Sequence, residues 1–265
     1  MRLKDRVAVI TGGGKGIGKA ISLAFASEGA TVVAAAGTLA KLEETAEQAR
    51  SMGGKAKAIQ TDVSDEKQVQ RLMEETVKEF GRIDILVNNS GIGGPASRVV
   101  DLSLEDWNRV LAIDLTGSML CAKHALKYMI PRKSGVIVNM GAEGGRAGDG
   151  RSGYPLRSPY CCAKMGVIGL TETLAVEVGP YNIRVNTISP AAVKGERLIN
   201  VFKGRAEAGG VPFDELWNKL TANYALGRIT EEREVADAAV FLASDESSAI
   251  TGQTLVIHCG LHVNF

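Results

Sequence analysis

No apolar run in the 265-residue sequence approaches the roughly 18 residues that span a bilayer, so nothing reads as a membrane helix. The opening MRLKDRVAVITGG passes from charges into a short strand-like run and then glycines. It lacks the h-region and small-residue cleavage site of a secretory signal, and the expected location is cytoplasmic. A charge excess is missing too: 31 Lys+Arg against 30 Asp+Glu leave a net +1. No general field would draw nucleic acid or an anionic membrane to such a surface. Cysteine is scarce, and Cys121, Cys161, Cys162 and Cys259 form neither a CxxC pair nor a His/Cys cluster. That argues against a metal centre and a disulfide framework, and leaves the four as small core residues. His124, His258 and His262 have no setting that suggests chemistry and are read as structural.

What is present is an alternation. Short β-branched runs, Val7–Ile10, Thr31–Ala34, Lys57–Gln60, Ile83–Val87, Gly135–Asn139, Ile183–Thr187 and Thr254–Ile257, are separated by amphipathic stretches. The helical patterns include Lys19–Ser27, Lys41–Met52, Gln68–Phe80, Leu104–Met129, Tyr160–Val178 and Glu232–Leu242. Strands alternating with helices of that length predict parallel crossovers: an α/β fold, doubly wound and Rossmann-type, of about seven strands with helices on both faces. Residues 1–265 read as one domain, since no linker, repeat or low-complexity tract interrupts them. The stretch Gly195–Ala222 breaks the rhythm; it is helical, carries Pro212, Phe213 and Trp217, and reads as a lid over the site. In doubly wound sheets ligands bind beyond the carboxyl ends of the strands, so the loops after the strands hold the candidates.

After the first strand comes TGGGKGIGKA, Thr11 to Ala20. Glycines let the backbone turn tightly and approach a diphosphate, whose charge meets the free N–H groups of a helix N-terminus. Gly13 and Gly18-Lys19 have the spacing of a triphosphatase loop, but the next residue is Ala20, with no hydroxyl for Mg²⁺. The spacing Gly12-x-x-x-Gly16-x-Gly18 is left as a nucleotide turn. Further on, Tyr160 and Lys164 stand four apart on a helix, hence on one face. An ammonium beside a phenol favours the phenolate and brings a group with an ordinary pKa of about 10 toward the working range of a general acid/base.

Read together with Asp62-Val63, Asn88-Asn89-Ser90-Gly91 and Tyr160-Cys161-Cys162-Ala163-Lys164, the glycine turn resembles that of the short-chain dehydrogenase/reductase family. The resemblance covers essentially the whole chain. It implies that Gly12, Gly16, Ile17 and Gly18 hold a diphosphate, that Asp62 and Val63 meet the adenine, and that Asn89 and Gly91 line the nicotinamide ribose side. Ser90 stands where alanine is usual. The family's Pro-Gly after strand six appears as Pro190-Ala191, followed by Val193, which implies a contact to the carboxamide. Tyr160 would transfer the proton, and Lys164 would lower its pKa and hold the ribose.

Two positions depart from the family pattern. Asp114 stands where an asparagine is usual, in DLTG; an Asp there still supports the proton relay and, if ionised, holds Lys164 charged. The serine expected after the fifth strand falls on Ala142, preceded by Gly141, in NMGAEGG. Losing such a donor to the substrate oxygen costs roughly 10²–10³ in rate. The segment Gly145–Tyr154 looks about five residues longer than in related sequences and carries Ser152 and Tyr154 as replacement donors, while Glu143 can engage a polar substrate. Arg146, Arg151, Arg157, Lys194 and Arg197 around the mouth permit an anionic substrate or form a solvated basic rim.

The second strand ends in Ala36, Gly37 and Thr38, without the carboxylate that NAD-selective members place there. With Lys15 before Gly16 and the Thr38 hydroxyl, the cofactor expected is NADP, with NAD as the alternative. The expected function is hydride transfer between nicotinamide and a small-molecule carbonyl or secondary alcohol. Its rivals are a dinucleotide-binding pseudoenzyme or sensor, and a different chemistry such as dehydration or epimerisation. The resemblance also implies a homotetramer or dimer in which the helices Leu104–Met129 and Tyr160–Val178 pair across subunits.

Overall fold

The computed structural model describes residues 1–142 and 155–261. Among these the strands are β1 (Val7–Thr11), β2 (Thr31–Ala36), β3 (Ala56–Gln60), β4 (Ile85–Asn88), β5 (Gly135–Met140), β6 (Ile183–Pro190), β7 (Val193–Lys194), β8 (Thr230–Glu231) and β9 (Thr254–Ile257). Seven form one parallel sheet in the order β3-β2-β1-β4-β5-β6-β9. The order reverses between β1 and β4, which opens a crevice at the carboxyl ends of those two strands. All seven expected strands are present, β6 running on to Pro190 because Ser189 and Pro190 pair with Val256 and Ile257.

Helices cover both faces, so a strand is apolar on both sides. On one face lie α1 (Gly16–Ser27), α2 (Leu39–Ser51) and α9 (Glu232–Ala243); on the other lie α3 (Glu66–Phe80), α4 (Leu104–Leu111), α5 (Gly117–Met129) and α6 (Ser158–Val178). Along β1, Val9 enters the core shared with Leu72, Met73, Cys121 and Ile137, whereas Ala8 and Ile10 enter the core shared with Ile21, Phe25, Val235 and Val240. That alternation is the two-residue period of a strand. Each of the larger buried side chains contributes roughly 1.5–3 kcal/mol. Asp84, just before β4, ties the starts of the two central strands together: its buried carboxylate accepts from the Val7 amide at 2.9 Å, from Arg132 at 2.9 Å and from Arg82.

Three features of the fold bear on the site. The helix expected over Leu104–Met129 is interrupted by a π-helical stretch, Ala112–Thr116, with Asp114 at its centre. The stretch 195–222, expected to be helical, holds α7 (Glu196–Gly209) and α8 (Phe213–Thr221), with Trp217 stacked on Phe213 at 5.4 Å. The parallel pairing of β7 with β8, too short to show in a sequence pattern, joins the residues just before α7 to those that lead into α9. Of the four cysteines expected in the core, Cys121 and Cys161 are buried, but Cys162 is exposed and Cys259 only half-buried. Among the described residues, no helix is long and apolar enough to cross a membrane.

Candidate active site

The turn after β1 leads straight into α1. Gly12 and Gly16 adopt φ of 67° and 55°, the left-handed region that glycine enters without strain. Gly18 is needed for a different reason: a Cβ there would lie 2.1 Å from the Gly12 carbonyl oxygen and 2.4 Å from Asn89 Nδ2. Asn89 in turn donates from Nδ2 to the Thr11 carbonyl at 3.0 Å, and the amides of Asn89 and Ser90 both donate to Thr11 Oγ1 at 3.0 Å. The glycine turn and the loop after β4 are thus one packed unit.

Three helices of the fold, α3, α4 and α9, have their N-termini capped by side chains. Asp65 accepts from the Lys67 and Gln68 amides at the start of α3, Ser103 from Asp106 at α4, and Glu231 with Glu234 forms a capping box at α9. The N-terminus of α1 has no side-chain cap and no acidic residue in its first turn. Its free N–H groups and the positive end of its dipole suit an anionic diphosphate.

On the opposite side of the crevice, α6 presents Tyr160 and Lys164. Lys164 Nζ is buried, donates to the Met140 carbonyl at 3.0 Å, and lies 3.4 Å from Asp114 Oδ2 and 5.7 Å from the centre of the Tyr160 ring. Asp114 Oδ1 accepts from the Ile92 amide at 2.8 Å. Burial pushes the Lys164 pKa below its ordinary value, while the charge and hydrogen bond of Asp114 act against that shift. A Cβ at Gly91 would come within 2.9 Å of Asp114 Oδ2 and 3.4 Å of Lys164 Nζ, so only glycine lets the loop after β4 pass this pair. The π-helical stretch is what brings Asp114 inward, a local widening of the kind often found at functional sites.

Beneath α6 a buried polar ladder fixes its position on the sheet. Asn88 donates to Asn139 at 2.9 Å, Asn139 to Thr171 at 2.8 Å, and Thr171 shares a hydrogen bond with Thr187 at 2.7 Å. Ala142 is buried at the end of β5 and offers no hydroxyl. Arg157, read from the sequence as part of a basic rim, is instead a clamp: its Nη1 donates to the carbonyls of Gly93 and Gly94, at 3.0 and 2.6 Å. Lys194 pairs with Glu231 at 3.4 Å.

The remaining expected residues stand around the crevice. Asp62 follows β3 and accepts from the amide and hydroxyl of Ser64 at 2.9 and 2.7 Å, while Val63 is buried against Gly117. Thr38 precedes α2 without capping it, Gly37 faces open space, and Lys15 is exposed at the start of α1. Pro190 ends β6 and Val193 opens β7. Glu143, Ser152 and Tyr154, with Arg146 and Arg151, lie outside the described residues. Among the described residues no group of three His, Cys, Asp or Glu side chains could hold a metal ion.

A family model described as enoyl-(acyl carrier protein) reductase matches residues 12–262. The chain belongs to the short-chain dehydrogenase/reductase family. It is 36% identical to a meso-2,3-butanediol dehydrogenase of Serratia marcescens over 98% of this chain and 96% of that protein. It is also 36% identical to a 3-oxoacyl-(acyl-carrier-protein) reductase of Thermotoga maritima over 98% of this chain and 99% of that protein. Among solved structures, an NAD+-bound xylitol dehydrogenase superposes with a TM-score of 0.90 at 30% identity, covering 98% of this chain and all of that one. As a member of this family the chain is a nicotinamide-dependent oxidoreductase. Arg157 and Glu232 have positions near the site that the sequence did not show: Arg157 donates to the Gly94 carbonyl, and the Glu232 carboxylate lies where a side chain on Gly195 would be.

Proposed function

We propose that this dehydrogenase/reductase moves a hydride between nicotinamide and a small carbonyl or secondary alcohol, with Tyr160 as the acid/base. The observation that carries the reading is the buried Lys164 ammonium held between Asp114, the Met140 carbonyl and the Tyr160 ring. The nicotinamide, when bound, supplies or receives the hydride. Tyr160 gives a proton to the substrate oxygen or takes one from it, and the cationic Lys164 favours the phenolate that this exchange needs. Lys164 also holds the ribose, and Asp114 keeps Lys164 in place and supports the return of the proton. Gly12, Gly16, Ile17 and Gly18 hold the diphosphate, Asp62 and Val63 the adenine, Asn89 and Gly91 the ribose side, and Pro190 and Val193 the carboxamide.

NADP is the cofactor we assign. The tip of β2 has no carboxylate to repel a 2′-phosphate, Gly37 leaves space beside it, and Lys15 and Thr38 supply a charge and a hydroxyl. NAD is the second reading, favoured by the NAD+-bound relative. Relatives named for butanediol and xylitol favour a small alcohol substrate. Ser152 or Tyr154 provides the donor that Ala142 does not, with Glu143 toward the substrate. The chain works as one domain, with α7 and α8 as its lid. It assembles as a dimer or tetramer through the faces of α5 and α6, where Met119, Met165 and Val176 are exposed.

The deciding experiment follows nicotinamide absorbance with both cofactors, in both directions, over a panel of small alcohols and carbonyls. Tyr160→Phe should abolish turnover and leave cofactor affinity nearly unchanged; more than a tenth of wild-type turnover would refute the assignment. Ala142 favours one rival, a pseudoenzyme. Tight dinucleotide binding without turnover across the panel would select it.

A further inference from the structure

Glu232 opens α9, yet its carboxylate reaches two glycines distant in sequence. Oε1 lies 3.6 Å from where a Cβ on Gly16 would be, and 2.3 Å from where one on Gly195 would be. Gly16 is the first residue of α1 and Gly195 the residue before α7. The carboxylate therefore stands between the uncapped N-terminus of α1 and the root of the lid. A larger residue at 195 would displace it. Among the described residues no hydrogen bond or ion pair reaches it, and burial raises its pKa above the ordinary carboxylate value.

The charged groups on the neighbouring elements do not neutralise it. Lys194 is paired with Glu231 at 3.4 Å, Arg228 with Glu234 at 2.7 Å, and Arg233 with Asp237 at 3.8 Å. Among the described residues the neighbouring elements also carry Lys15 just before α1, Lys19 on α1 and Glu196 on α7, and burial is the cause of the Glu232 shift. A carboxylate beside a helix N-terminus is stabilised by the same dipole that would hold a phosphate. Both anions draw on one site.

We propose that Glu232 gates the diphosphate site by charge: ionised, it weakens dinucleotide binding, and binding is accompanied by uptake of a proton from solvent onto its carboxylate. This role rests on the glycine turn being the diphosphate site. Affinity then falls as pH rises through the range in which free Glu232 is ionised and bound Glu232 is not. A like-charge contact of this kind is worth on the order of tenfold in affinity.

The test is a fluorescence titration of NADH and NADPH from pH 5.5 to 8.5 on wild type, Glu232→Gln and Glu232→Asp. Calorimetry in two buffers of different ionisation heat measures the proton uptake. NADH isolates the diphosphate, because the 2′-phosphate of NADPH itself titrates near pH ~6. Glu232→Gln should bind about tenfold more tightly than wild type at pH 8, converge with it at pH 5.5, and lose the buffer-dependent heat. The shorter Glu232→Asp, drawn back from Gly16, should fall between, and it carries the test if the glutamine variant does not fold. Equal affinities across the pH range, or proton uptake that persists in Glu232→Gln, would overturn the gate while leaving the glycine turn in place. If neither dinucleotide binds to any of the three proteins, the diphosphate reading fails and the gate falls with it.

Discussion

Replacing Asp114 by asparagine removes one formal charge from a buried pair and changes almost nothing in shape. Asp114 Oδ2 is 3.4 Å from Lys164 Nζ. At that separation, with an effective dielectric near ~20, the attraction is on the order of 5 kcal/mol. Desolvation of both ions offsets much of it, and the Lys164 pKa already lies below its ordinary value. In the variant the amide oxygen can still accept from the Ile92 amide, which turns the –NH₂ group toward the ammonium, donor against donor. Lys164 keeps the Met140 carbonyl and can release its proton, so the net loss should be about 2 kcal/mol, below the ~3–5 kcal/mol of a fully orphaned charge. The pH dependence has a definite sign. A lysine whose folded pKa is depressed binds fewer protons when folded, so stability climbs with pH up to the unfolded value of about 10.4. Asp114→Asn depresses it further, so the deficit should be largest near neutrality and shrink toward pH 10. Urea unfolding at pH 6.5 and 9.5, followed by Trp107 and Trp217 fluorescence at fixed protein concentration, measures both. A deficit below ~0.5 kcal/mol at pH 6.5, typical of a surface substitution, or one that does not shrink at pH 9.5, would refute the buried ion pair.

Gly18→Ala should cost about 1–3 kcal/mol through overpacking against Gly12 and Asn89. Dinucleotide affinity should fall with it, and an unchanged fluorescence titration would contradict the packed turn. Asp84→Asn should destabilise the protein by about 1–3 kcal/mol at neutral pH. Burial pushes the Asp84 carboxyl up, but hydrogen bonds from Arg82, the Val7 amide and Arg132 outweigh it and hold the pKa low. Its contribution is present above the unfolded carboxyl value of about 3.9 and is lost as pH falls through the lower folded value, so the variant and wild type should converge in acid melts. Burial pushes the Cys121 thiol up to about 12, whereas Cys162 is exposed. A thiol reagent at pH 8 should therefore modify Cys162 first and leave Cys121 untouched in the native protein, and Cys162→Ser should remove the fast phase.

The central strands were legible because β1, β2, β4 and β5 are short runs rich in Val, Ile and Ala that are buried on both faces. Strand ends were less legible. The extension of β6 to Pro190 depends on Val256 and Ile257 lying beside it, which no local pattern encodes. The helix over Leu104–Met129 read as unbroken because its apolar spacing continues through Ala112–Thr116; the widened turn is held by a bond from Ile92 and an ion pair with Lys164, both distant in the chain. Tyr160 and Lys164 could be paired from spacing alone, but Asp114 was reached through the family resemblance. Arg157 looked like a surface charge because its partners are backbone carbonyls, which sequence does not mark.

The widened turn also sets a rotational phase. Successive α-helical residues advance by ~100° about the axis, so one extra residue in a turn swings everything after it by that amount. In α5 the residues thereby brought to face the sheet are Leu120, Cys121, Ala125 and Met129. A single deletion within Ala112–Thr116 would restore regular winding and carry this stripe about a quarter-turn away from the core. A chain in this fold can then shorten the segment only by re-patterning the thirteen residues of α5 as well. The placing of one carboxylate beside Lys164 and the hydrophobic alignment of a whole helix are inherited together.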